Sequence, residues 1–360
     1  MNPSRARVPL LYVLHSGNLY GTERIALATA TGLADEYAAT IFAPAGPVLD
    51  EARRRGLEAC AFQGSRDLAA QMWPRFRDNR NRRLAFIGTG VSHSLIASML
   101  SKITRCRLAH LQMVGGGTDE RLSYGRKHLL NRFGLRFVVA SQFVRERLIG
   151  HRVRADRVAV IENFLSPEQI AAAPRRARFE RAGVRRVIVV SRADPIKRID
   201  LLLDTLDLDA SLRATLEVRV LGAGSELASL RLRAAAHNPN VELAGFVPDV
   251  ASKLAASDLL VHLCPVEPFG LAILESMAAN VPVLVPDSGG AGALIDEGVS
   301  GFRFHAGDAA DLGRRLRELA VTPHWQLNLV AEGGRRALGS RFSAAARIDD
   351  YRELLGECVQ

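Results

Sequence analysis

The segment "EPFGLAILE", Glu267 to Glu275, sets two carboxylates eight positions apart across residues otherwise fit for a core. Its surroundings, "DLLVHLCPVEPFGLAILESMAANVPVLVP", read as strand, loop, helix, turn, strand. Pro265 and Pro268 keep the loop extended, so the helix is expected to start at Phe269, Gly270 and Leu271. The first N–H groups of a helix have no intrahelical partners and donate readily to hydroxyl or phosphate oxygens. Gly270 would let a ligand approach the main chain. Glu275, about two turns in, could accept two hydrogen bonds from vicinal hydroxyls, as on a ribose. On spacing alone, a capping Glu267 and a solvated Glu275 would account for the pair as well.

Other segments carry chemistry at strand ends. In "VIVVSRADPIKRIDLLL", Arg192 and Lys197 could hold a polyanion, Arg as a planar fork and Lys as a mobile point charge. Lys is scarce, four against 44 Arg, which makes Lys197 notable. "HSGNLYGTERIALATA" reads as strand, loop, helix, with Gly21, Thr22 and Glu23 at the helix start. "RLAHLQMVGGG" offers His110 or Gln112 near a strand end, and "VSHS" offers His93. Four scattered cysteines, Cys60, Cys106, Cys264 and Cys358, form no CxxC and read as reduced, buried thiols.

These groups must be positioned by strands and helices. Short apolar runs such as "PLLYVLH", "ATIFAP", "RLAFIG" and "RFVVAS" alternate with helical patterns, which argues for parallel βαβ units covered on both faces. The alternation breaks from Leu165 to Arg185 and restarts at "VIVVSR". The expected fold class is therefore α/β, with two Rossmann-like domains, 1–165 and 166–342. A C-terminal helix over 343–360 follows, placed to pack back on the first domain. In such sheets ligands bind beyond the carboxyl ends of the strands.

The charge is uneven. The chain carries +10 overall, yet residues 1–165 hold 25 Lys and Arg against 13 Asp and Glu, while the remainder is nearly balanced. A basic first half points to an anionic partner or surface. "WPRFRDNRNRR", residues 73–83, packs five Arg into eleven positions and is a solvated face or a dock for anionic lipid or an acidic acceptor. Aromatics beside it are too sparse for stacking on single-stranded nucleic acid, so nucleic acid is not expected as a partner. No run approaches the roughly 20 apolar residues of a membrane span, and the first apolar stretch is too short for a signal peptide. A cytoplasmic protein is expected, with peripheral contact at the inner face of the membrane.

"EPFGLAILE" followed by "SMAANVPVLVPDSGG" resembles the E-x7-E signature of retaining GT-B glycosyltransferases of family GT4. "DEGVSGFRF" and "SRADPIKRID" are similar to two further segments of that family. The resemblance implies a GT-B fold and transfer of a sugar from a nucleotide diphosphate sugar, UDP- or GDP-linked, to an acceptor hydroxyl with retention. It implies that Glu267 and the amides of Phe269, Gly270 and Leu271 contact the donor sugar, and that Glu275 binds the ribose. Arg192 and Lys197 would hold the diphosphate, with Gly21 near the phosphates. Gly222, in "LGAGSELASL", and the main chain at Phe246 and Val247 would flank the nucleotide. A histidine reaching the donor sugar would be His110, with His93 and Gln112 as alternatives. Tyr20, Ser191 and Arg198 stand where the family has glycine.

No DxD-type motif stands out, so metal-independent chemistry is expected. Cell-envelope polysaccharide or another glycoconjugate is the expected product class, with a glycan, lipid-linked or small-molecule acceptor. Rival readings are a GT-B sugar-nucleotide epimerase, a basic anionic-surface binding protein with an inactive transferase site, and a storage-glucan phosphorylase or synthase, for which the chain is short.

Overall fold

The computed structural model describes residues 7–116 and 123–358. The chain divides into two compact units, residues 1–163 with 344–360, and residues 164–343.

The first unit is built on a parallel sheet of seven strands among the described residues. In chain order they are β1 (Val8–Val13), β2 (Tyr37–Ala43), β3 (Glu58–Ala61), β4 (Arg83–Gly88), β5 (Arg107–Val114), β6 (Arg136–Val139) and β7 (Val158–Val160). They lie in the order β3-β2-β1-β4-β5-β6-β7. β1 carries the register, pairing Leu10 with Ala39 on one side and Ala85 on the other. Its residues from Leu10 onward are buried, as expected of a strand covered on both faces. The helix Ala344–Glu357 closes this unit, burying Ile348, Tyr351, Leu354 and Leu355. Ile348 fills the space left by Gly32, and Arg352 donates to the Gly32 carbonyl.

The second unit repeats the plan with six strands: β8 (Arg186–Val190), β9 (Glu217–Leu221), β10 (Val241–Gly245), β11 (Leu259–Val261), β12 (Val283–Pro286) and β13 (Phe302–Phe304). Their order is β10-β9-β8-β11-β12-β13, all parallel. Val187, Val189, Val218, Val220 and Leu284 form the centre of its core with helix residues such as Leu202 and Leu316. Asp258, just before β11, ties this unit at the amino edge of the sheet. It accepts from the Arg176 and Arg186 side chains and from the Arg185 and Arg186 main chain.

In both units the strand order reverses at one place, between β1 and β4 in the first and between β8 and β11 in the second. The loops leaving those strand pairs diverge there and open a crevice at the carboxyl edge.

Candidate active site

The reversal in the second unit brings Lys197 and Glu267 together. β8 ends at Val190 and leads through Arg192 to a single 3-10 turn, Pro195–Lys197. β11, its hydrogen-bonded neighbour, ends at Val261 and leads to Glu267. The Lys197 ammonium donates to Glu267 Oε2 at 2.6 Å, with both side chains largely buried. His262 Nε2 lies 3.4 Å from the same oxygen. Burial alone would push the Glu267 carboxyl up. His262 and Lys197 outweigh it by hydrogen bond and charge and hold it at about 2. Burial would lower the Lys197 ammonium, but Glu267 raises it above its ordinary value. Both groups therefore stay charged at neutral pH.

The loop bearing Glu267 is held from behind. The Gly290 N–H donates to the Glu267 carbonyl, and Ser288 Oγ donates to the Pro265 carbonyl at 2.8 Å. A Cβ on Gly290 would stand 2.0 Å from the Pro268 carbonyl oxygen, so only glycine fits. Gly270 follows at φ +101° as the cap of the helix Leu271–Ala278. Phe269 is buried edge-on to Phe342, with ring centroids 6.1 Å apart, and so anchors the helix start. Glu275 lies half-buried on that helix, one turn past Leu271.

Arg192 is exposed and paired with Asp194 at 3.0 Å. Its charge still acts on Lys197, lowering the ammonium slightly. Asp194 also accepts from the Ser225 N–H and hydroxyl, which ties the loop after β8 to the loop after β9. Those loops touch at Gly222 (φ +140°), where a Cβ would meet the Ser191 carbonyl oxygen at 1.9 Å. Phe246, after β10, is 79% exposed. The carboxyl edge of this sheet thus collects two cations, a buried carboxylate, a glycine-capped helix start and an exposed aromatic ring.

Gly21 opens the helix Gly21–Gly32 in the first unit. Burial raises the Glu23 carboxyl, which accepts from the main-chain N–H groups of Glu23 and Tyr20 and so occupies part of that helix start from within. His110 sits elsewhere. It lies in the middle of β5, which runs on to Val114, and is buried. Its Nε2 is 2.9 Å from Ser94 Oγ and its Nδ1 3.3 Å from Ser98 Oγ. Burial lowers its pKa to about 3, so it stays neutral. Gln112 is fully buried and accepts from the same Ser94 hydroxyl at 2.6 Å. His93 is buried edge-on to Phe62, with its pKa lowered by burial to about 4. All three alternatives are core groups of the first unit.

Sequence reasoning missed His262, Asp194 and the clamp at Gly290. The signal for His262 was a polar residue where the apolar run of β11 should continue, just before the loop that carries Glu267. Among the described residues no group of three or more His, Cys, Asp or Glu side chains is placed to hold a metal ion. None of the described helices is long and apolar enough to cross a membrane.

Two doubly wound parallel units, the second with its polar cluster at the sheet reversal, make this a GT-B fold. Solved structures share it along nearly the whole chain. Anabaena HepE in complex with UDP-glucose superposes with a TM-score of 0.79 at 20% identity, covering 98% of this chain and 100% of that one. A glycosyltransferase from Rickettsia africae gives 0.79 at 17% identity, covering 99% and 100%. Residues 174–331 match the family described as glycosyl transferases group 1. The D-inositol 3-phosphate glycosyltransferase of Frankia alni is 32% identical over 184 residues, 47% of this chain and 45% of that protein. The putative glycosyltransferase EpsD of Bacillus subtilis is 32% identical over 124 residues, 34% of this chain and 31% of that protein. The chain thus spans less than half the length of these relatives.

Proposed function

We propose that the protein is a retaining glycosyltransferase that moves a sugar from a nucleotide diphosphate sugar to an acceptor hydroxyl. The observation that carries this reading is the buried Lys197–Glu267 pair at the sheet reversal, 2.6 Å apart, beside the glycine-capped helix start. Breaking a glycosyl–phosphate bond leaves a diphosphate whose charge grows as the bond lengthens. Preorganised cations and helix-end N–H groups lower that barrier because they need not reorient. Lys197 and Arg192 supply the cations, Gly270 and Leu271 the N–H groups, and Gly21 and Gly222 let main chain approach the phosphates and nucleotide. Glu267 faces the donor sugar, and its carboxylate, kept ionised, can accept from sugar hydroxyls. Glu275 takes the ribose diol. The acceptor attacks from the face the diphosphate leaves, with no protein nucleophile and no metal. No step is assigned to His110, which is buried in the core of the first unit.

UDP-sugars are the first donors to test, since the HepE structures were obtained with UDP and UDP-glucose. Cell-envelope polysaccharide or glycoconjugate synthesis is the proposed setting. The lipopolysaccharide core glycosyltransferase LpsE of Rhizobium meliloti is 34% identical over 115 residues. A cytoplasmic location with peripheral contact at an anionic membrane fits the basic first half. Incubation with UDP-glucose, UDP-galactose or GDP-mannose and candidate glycan acceptors should give a glycosylated product with the donor's anomeric configuration. Isomerised donor without transfer would move the reading to an epimerase.

A further inference from the structure

The basic excess of the first half is concentrated. Residues 79–118 contain no Asp or Glu and six Lys or Arg, and residues 121–145 repeat that balance. The structure shows where part of this charge goes. Of the run at 73–83, Arg75 pairs with Glu58, Arg77 with Asp78, and Arg83 donates to Tyr37 and to the Leu355 carbonyl. That run is therefore largely committed within its own unit.

The helix Val91–Thr104 is different. Met99 and Ile103, one turn apart on its outer face, are 58% and 63% exposed. The 3-10 helix Lys127–Arg132 packs beside it and leaves Leu129 48% exposed. Cations surround these three. Lys102 lies over the Phe133 ring at 5.2 Å, and Arg105 caps the helix in the left-handed region. The Asn81 N–H donates to the Arg105 carbonyl, and the Arg107 N–H to the Arg82 carbonyl, which draws exposed Arg82 to the same helix end. Exposed Arg132 ends the 3-10 helix. Among the described residues, none of Arg82, Lys102, Arg105 and Arg132 has a carboxylate partner.

From this juxtaposition of protruding aliphatic side chains and unpaired cations, we infer that the outer face of the helix Val91–Thr104, with Leu129, docks on an anionic lipid bilayer. Aliphatic tips enter the acyl boundary while the cations remain at headgroup level, where each is worth roughly fivefold in affinity. A second copy of the chain is disfavoured as occupant, because the face would meet its own positive charge. Nucleic acid is disfavoured because Met, Ile and Leu offer bases no ring to stack on. The inference deepens the peripheral contact proposed above. It is read without donor or acceptor, so it can fail while the transferase reading stands, and the reverse.

The test is co-sedimentation of the full chain with vesicles of phosphatidylcholine alone and with 30% phosphatidylglycerol added, a composition chosen for this assay. Binding is expected only to the anionic vesicles and should weaken as salt rises. Met99→Ser/Ile103→Ser should reduce it about tenfold or more, and Lys102→Glu/Arg105→Glu should abolish it, each with an unchanged melting temperature. Leu232→Ser, on an exposed apolar residue of the other unit, should leave it unaltered. The inference is overturned by absence of anionic-vesicle binding at low salt, or by binding that both double variants retain. It is equally overturned if the patch variants lose self-association or RNA binding while vesicle binding persists.

Discussion

Lys197 and Glu267 are 70 positions apart in the chain, yet the Lys197 ammonium donates to Glu267 Oε2 across 2.6 Å. The pairing follows from topology, since β8 and β11 are neighbours at the reversal of strand order and each residue sits in the loop that leaves its strand. A cation held this way is available to a diphosphate without leaving a low-dielectric site, provided something else holds the carboxylate.

Lys197→Met should cut transfer at least a hundredfold, and it should also destabilise the fold. It strands a largely buried carboxylate, at a cost of about 3–5 kcal/mol in urea unfolding. Glu267→Gln added to it should recover part of that loss, because the two residues are coupled. Additive losses would mean that the contact carries no energy.

His262 Nε2 lies 3.4 Å from the Glu267 oxygen that accepts from Lys197, which makes His262 a positioning residue. His262→Leu should lower kcat roughly tenfold or more with little change in donor KM, and should move the acid limb of the pH profile upward as Glu267 loses a partner. His262→Gln, which keeps a donor, should restore part of the rate. Equal behaviour of the two variants would reduce His262 to a packing role.

Gly290→Ala should cost about 2 kcal/mol of stability, as overpacking does. It should cost activity as well, because the Pro268 carbonyl must move and carries the Glu267 loop with it. Kinetics and urea unfolding on the same preparation read both.

Acid stability should depend on Asp258. Burial would raise its carboxyl, but Arg186, Arg176 and two main-chain N–H groups lower it from 3.8 to about 2. A depressed folded-state pKa means that its stabilisation, on the order of 2 kcal/mol, is complete above pH 3.8 and is lost as pH falls towards 2. In Asp258→Asn the part of acid unfolding over that window should flatten. An unchanged stability–pH curve would contradict the assignment.

The α/β alternation was legible because buried parallel strands read as continuous apolar runs, as "RVIVV" and "VLVP" do. Most of the candidate donor residues stand out because they fall within two short segments, 192–197 and 267–275. What the sequence hid were contacts between segments. Asp194 matters only because the loop after β9 brings Ser225 to it, and Gly290 only because the chain crosses Pro268 there. The expectation for His110 rested on a family resemblance that places a histidine at the end of this strand. The strand continues to Val114, so His110 stays mid-strand among Ser94, Ser98 and Phe86. His110→Asn should therefore act mainly on the stability of the first unit.

The central claim is a nucleotide-sugar site on the second unit. The most direct measurement is a thermal-shift titration with UDP, GDP, ADP and dTDP and their common sugars, on the native chain and on Glu275→Ala. Ligand that binds only the folded state raises its melting temperature. The account predicts a shift with one nucleotide, UDP first, that Glu275→Ala abolishes. No shift with any nucleotide on the folded protein, or a shift that Glu275→Ala leaves intact, would contradict it.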